Sequence, residues 1–209
     1  MSDWMTTIAA VAAAYLLGSF PAGYLVGKLW GVDVLGFGSG RTGGTNVLRS
    51  AGVVPALITG ALDVGKGALA VWLAGQVVPG IGQALAQVLA GVAVILGHNH
   101  SIFLGFRGGA GVGTSLGALS VIYWPAAVVL LVMLLLVVAV TRYASVGSLT
   151  VTTFMPILLL LLGITGVLSL TYVGYGLLAW VIIVCSHLPN IRRLIQGTER
   201  RLGEKGQPR

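Results

Sequence analysis

The chain has 209 residues, of which 56% are hydrophobic and only 8% are charged. An ordinary soluble domain carries about 25% charged residues, so this composition argues against a water-coated globule and for an integral membrane protein. The net charge of +7 comes with no nucleic-acid-binding motif, so it reads as topology signal and attraction to anionic lipid headgroups rather than nucleic-acid binding.

The start of the chain has Asp3 and no basic leader. Its apolar stretch runs on past about 20 residues, so it predicts a first spanning helix over Met5–Leu29 rather than a cleavable signal. A second span follows over Val53–Val78, interrupted by Asp63 and Lys66, and a third over Ile81–His98. Gly111–Val140 is a long apolar stretch that admits two readings. It forms either one tilted helix or two short ones turning near Tyr123–Pro125. Val146–Gly163 and Leu168–His187 complete the set. The single cysteine, Cys185, lies in an apolar run and excludes an internal disulfide framework.

Charge placement favours the turn. Lys28, Arg41 and Arg49 lie in or beside the first loop, Arg107 follows the third span, and Arg142 follows the long stretch. Arg192, Arg193, Arg200, Arg201, Lys205 and Arg209 lie in the tail. If the long stretch makes two passes, every basic connection faces the cytoplasm together with the tail. If it makes one, Arg142 and the tail fall on opposite sides. The expectation is therefore an all-α integral membrane protein of about seven transmembrane or half-spanning helices. Its N-terminus is outside and its C-terminus cytoplasmic. A helical domain would occupy residues 1–190 and a basic cytoplasmic tail residues 191–209. Gly111–Ile122 is short for a straight span.

Three segments assigned to the cytoplasmic side are richer in polar groups than a connector requires: Gly36–Gly52, Gly97–Ser115 and Ser186–Glu199. Arg49 suits bidentate capture of an anion. Ser39, Thr45 and Asn46 supply neutral donors and acceptors. Gly108–Gly111 precedes a predicted helix, and a helix start attracts phosphate. The plainer reading is that these glycines only permit turns and close helix packing. "GSGRTG" lacks the preceding strand of a dinucleotide fold, and "GGAGVGT" lacks the lysine of a phosphate-binding P-loop. His98 and His100 have no carboxylate or cysteine near them in sequence and His187 is far along the chain, so no metal site is expected. No H-x-x-x-x-D box is present.

Together the segments resemble the membrane-integral acyl-phosphate:glycerol-3-phosphate acyltransferases of bacteria (the PlsY type). The resemblance covers nearly the whole chain. It rests on "GSFPAGYLVGK" (Gly18–Lys28), "GSGRTGGTNVLR" (Gly38–Arg49), "LDVGKG" (Leu62–Gly67), "GHNHSIFLGFRGGAGVGT" (Gly97–Thr114), "RYASVGS" (Arg142–Ser148) and "HLPNIRRLIQGTE" (His187–Glu199). It implies transfer of an acyl group from acyl phosphate to the 1-hydroxyl of glycerol 3-phosphate, with no cofactor, at the cytoplasmic face of a bacterial plasma membrane. The implied partners are those two substrates and membrane phospholipids, and a monomer is the working expectation.

Position by position, the resemblance implies that Ser39, Arg49 and His187 are catalytic. Thr45, Asn46, Ser145, Asn190 and Glu199 would contact substrate, and Gly108, Gly109 and Gly111 would form the acyl-phosphate loop. Arg41, which the family pattern does not supply, would bind substrate by restoring from the first loop the charge missing at Ala110. The chain departs from the family pattern at several positions. Ala110 stands where lysine is usual, Arg41 where asparagine is usual, and Arg107 where lysine is usual. Ser101, His100 and Leu188 replace a proline, an aromatic and a basic residue. Two other readings stand beside the enzyme: a non-catalytic relative that binds acyl phosphate or lipid phosphate, and a small-anion transporter.

Overall fold

The structure is a computed structural model and describes residues 3–203. Lys205 and Arg209 of the expected tail lie outside the described residues. Eight α-helices account for most of the described chain: α1 (Asp3–Ser19), α2 (Ala22–Leu29), α3 (Gly44–Ala51), α4 (Val53–Val77), α5 (Gln83–Asn99), α6 (Val112–Thr141), α7 (Ala144–Ile164) and α8 (Thr171–Ile195). Five stretches are long and apolar enough to cross a bilayer: Trp4–Leu29, Val53–Val77, Val112–Thr141, Ala144–Ile164 and Thr171–Ile195. Gln83–Asn99 is apolar but shorter.

The first expected span is broken at Phe20–Pro21, between α1 and α2. Proline brings no N–H and disfavours a helical residue before it. The same cause acts in α6. Tyr123 leaves helical geometry at φ −160° and ψ 96°, two residues before Pro125. A straight helix would separate Gly113 from Leu134 by about 31 Å at 1.5 Å per residue. Both instead border one cavity, so the chain doubles back at the break.

Small residues let the helices approach closely. A β-carbon on Gly67 would lie 2.1 Å from the Thr114 carbonyl oxygen, and one on Gly117 would lie 2.0 Å from that of Val64. This reciprocal contact locks α4 to α6 backbone against backbone, which is how helices without a water-driven core pack in lipid. The buried core runs through Ile95, Leu119, Leu130, Met155, Leu159 and Ile183. Fully buried Tyr175 ties α8 to α6 by donating its hydroxyl to the Ser115 carbonyl at 2.7 Å. A buried phenol needs such a partner. Exposed Leu57, Leu136 and Val140 point outward, as side chains solvated by lipid would.

Helix α8 runs through the expected boundary at residue 190 to Ile195. The segment beyond it turns back on the bundle. Thr198 N–H donates to the Arg193 carbonyl at 2.8 Å, and Leu202 N–H donates to that of Arg142 at 2.6 Å. The start of the tail is therefore a strap over the helix ends.

Candidate functional site

The polar ends of α3, α4, α6, α7 and α8 surround a cavity of about 320 Å³. Ser39, Arg41, Thr45, Asn46, Arg49 and Gly111 border it, and so do Ser145, His187, Asn190 and Glu199. Sequence reasoning picked all ten from segments far apart in the chain. One wall is apolar, formed by Leu134, Leu135 and Val138 of the returning half of α6.

The first loop is held in shape by Asn46. Its Nδ2 donates toward the carbonyls of Val34 at 2.9 Å, Phe37 at 3.1 Å and Arg41 at 2.9 Å. Its Oδ1 accepts from Ser39 N–H at 2.9 Å. The sequence made Asn46 a substrate contact, but its amide is committed to the loop that presents Ser39 and Arg41. Thr45 is exposed at the cavity edge.

Arg41 crosses to α8. Its Nη1 donates to Asn190 Oδ1 at 3.1 Å, and its Nη2 donates to the Ser186 carbonyl. Arg49 Nη2 donates to the Arg200 carbonyl of the strap at 3.1 Å. His187 is 4% exposed. Its Nδ1 lies 2.8 Å from the Ile183 carbonyl one turn earlier. A carbonyl only accepts, so the proton sits on Nδ1 and Nε2 is the atom available to a guest.

Glu199 is the knot of the strap. Its Oε1 accepts from Ser145 Oγ at 2.9 Å and from Asn190 Nδ2 at 2.8 Å. Its Oε2 accepts from Arg193 Nε at 2.6 Å. Burial pushes the Glu199 carboxyl up. The hydrogen bonds from Asn190, Arg193 and Ser145, together with the Arg193 charge, outweigh that and hold it below the ordinary carboxylate value. Expected to touch substrate, Ser145 and Glu199 are joined to each other.

The glycine loop divides in two. Gly111 (φ +85°) caps the start of α6 and borders the cavity with Ala110. The first turn of α6 carries N–H groups that no intrahelical carbonyl can take. Gly108 and Gly109 are not among the cavity-bordering residues. They pack behind the loop, where Gly109 N–H donates to the His98 carbonyl at 2.9 Å and the Gly108 carbonyl accepts from Thr42 N–H at 3.2 Å.

Three bordering residues with charged or titratable side chains were missed as site residues: Asp63, His98 and Arg193. The pairing of Asp63 with Lys66 was legible at i, i+3 and is present at 2.9 Å. Charge inside an apolar span was the available signal. The approach of His98 to Asp63, 3.3 Å, joins α5 to α4 and leaves no local pattern.

The family model described as glycerol-3-phosphate acyltransferase matches residues 8–197. A glycerol-3-phosphate acyltransferase of Synechococcus sp. (strain JA-3-3Ab) is 40% identical over 206 residues, covering 98% of each chain. One from Carboxydothermus hydrogenoformans is 42% identical over 199 residues, covering 95% of this chain and 97% of its own. A crystal structure of PlsY (YgiH), an integral membrane glycerol 3-phosphate acyltransferase, in its glycerol 3-phosphate form, superposes with a TM-score of 0.84 at 33% identity. That match covers 94% of this chain and 96% of the other. The lysophosphatidic acid form of PlsY gives 0.83 at 32% identity.

Proposed function

Because the chain belongs to the glycerol-3-phosphate acyltransferase family, we propose that it transfers an acyl group from acyl phosphate to the 1-hydroxyl of glycerol 3-phosphate. The observation that carries this is the two-sided cavity. Arg41, Arg49 and the start of α6 meet there with the apolar wall of Leu134, Leu135 and Val138. Phosphate suits the first side and a fatty chain the second.

Arg49 grips a substrate phosphate, with Ser39 and Thr45 as neutral donors beside it. Gly111 and the first turn of α6 receive the donor's phosphate. The 1-hydroxyl oxygen attacks the acyl carbonyl carbon. The bond from that carbon to the phosphate oxygen then breaks, and inorganic phosphate leaves with the electron pair. His187 Nε2 orients the hydroxyl, Asn190 fixes Arg41, and the hydroxyl proton passes to a phosphate oxygen. Positioning and charge neutralisation do the work, because acyl phosphate is already activated. Asn46, Ser145 and Glu199 hold the walls in place.

The chain makes seven hydrophobic passes in this reading, with the N-terminus outside and the cavity facing the cytoplasm of a bacterial cell. The turn at Tyr123 supports the count. The meeting of Arg41, Arg142 and Arg193 with the strap and the end of α8 supports the orientation. The test is turnover by Arg49→Ala and His187→Ala. Each should fall by about a hundredfold or more while melting temperature stays near the parent value. Full activity in both variants would refute the assignment.

A further inference from the structure

Behind the glycine loop lies a buried charged group that acyl transfer as described leaves without a task. Asp63 and Lys66 face one another one turn apart on α4, and Lys66 also donates to the Phe20 carbonyl at 3.0 Å. That carbonyl lies at the break between α1 and α2. His98, near the end of α5, brings Nδ1 to 3.3 Å from the same Asp63 oxygen. The three residues are 4%, 7% and 5% exposed. Charge at such depth is costly and calls for a reason.

The other edge of the His98 ring ends on the glycine loop. A β-carbon on Gly109 would lie 2.0 Å from His98 Nε2, and its three nearest neighbours would all be atoms of that ring. A β-carbon on Gly108 would lie 2.1 Å from the His98 carbonyl oxygen, the same oxygen that accepts from Gly109 N–H. One residue therefore holds the loop twice, by its carbonyl and by its ring. Asp63 stands 3.3 Å from the ring's Nδ1, and Lys66 balances the carboxylate. Two residues beyond Gly109, Gly111 opens α6 at the cavity.

We propose that His98, aligned by Asp63, is a positioning residue that sets the depth of the Gly108–Gly111 loop, and through it the seat of the donor's phosphate at the start of α6. The inference rests on the acyl-phosphate reading given above. His98 acts through the backbone of Gly108 and Gly109. Its loss displaces one substrate and spares the other.

The experiment uses the full chain in lipid nanodiscs, with palmitoyl phosphate and glycerol 3-phosphate varied in turn. His98→Ala and Gly109→Ala should each raise KM for palmitoyl phosphate about tenfold and leave KM for glycerol 3-phosphate within about twofold. The double variant should be no worse than His98→Ala alone, because the new methyl group enters space that the ring has left. Melting temperatures should show the same non-additivity without reference to turnover. Multiplying effects in the double variant, a KM change confined to glycerol 3-phosphate, or an unchanged His98→Ala would overturn the inference. A parent that cannot turn over palmitoyl phosphate would overturn the donor reading and, with it, the role of the loop. That failure appears in the parent, whereas failure of the His98 inference appears only in the variants.

Discussion

Arg41 and Asn190 are 149 positions apart in the chain, yet Arg41 Nη1 donates to Asn190 Oδ1 at 3.1 Å on the cavity wall. The contact bears on the absence of a lysine at position 110. Ala110 and Arg41 border the same cavity, so a cation reaches it from the first loop. Arg41→Asn should therefore lower turnover by about ten- to hundredfold, the size of one lost charge-assisted contact. Adding Ala110→Lys should restore much of it, read as phosphate release from acyl phosphate. A double variant as inactive as Arg41→Asn would show that Arg41 holds Asn190 and supplies no exchangeable charge.

Glu199 gives a pH dependence. Its carboxyl sits below the ordinary value of 4.5, so it binds fewer protons folded than unfolded. The sign follows: its stabilisation is fully present above 4.5 and is lost as pH falls through the depressed folded value. Glu199→Gln should melt below the parent at neutral pH, and the gap should close as the buffer is taken below 4.5. A gap that stays constant to low pH would mean that the strap is not held by the carboxylate charge. Turnover by Glu199→Ala should also fall, because Asn190 and Ser145 lose a shared acceptor.

The Asp63–Lys66 pair should behave as a buried ion pair. Lys66→Met removes the nearest balancing charge and should cost about 3–5 kcal/mol, since it strands Asp63. Asp63→Asn combined with Lys66→Met should recover part of the loss. A Lys66→Met protein as stable as the parent would remove the pair from the account.

The membrane fold was legible because hydropathy reads local composition. The break near Tyr123–Pro125 was visible for the same reason, since proline is a local signal. Helix α3 was hidden inside a glycine-rich loop, and α8 was read eight residues short because its end is polar. At the site, residue types pointed to the cavity, but bonding partners did not follow from them. Nothing local distinguishes an Asn46 that binds substrate from one that donates to three loop carbonyls. The Ser145–Glu199 contact and the seat of Gly109 on His98 depend on helices brought together only by folding.

The central claim is that one cavity joins an acyl phosphate to glycerol 3-phosphate. The most direct measurement supplies purified protein with both substrates and counts products, with palmitoyl-CoA replacing the donor as a control. The account predicts equal amounts of inorganic phosphate and 1-acyl lysophosphatidic acid from acyl phosphate, and none from palmitoyl-CoA. Lysophosphatidic acid formed from palmitoyl-CoA alone, or phosphate released without acylated product, would contradict it.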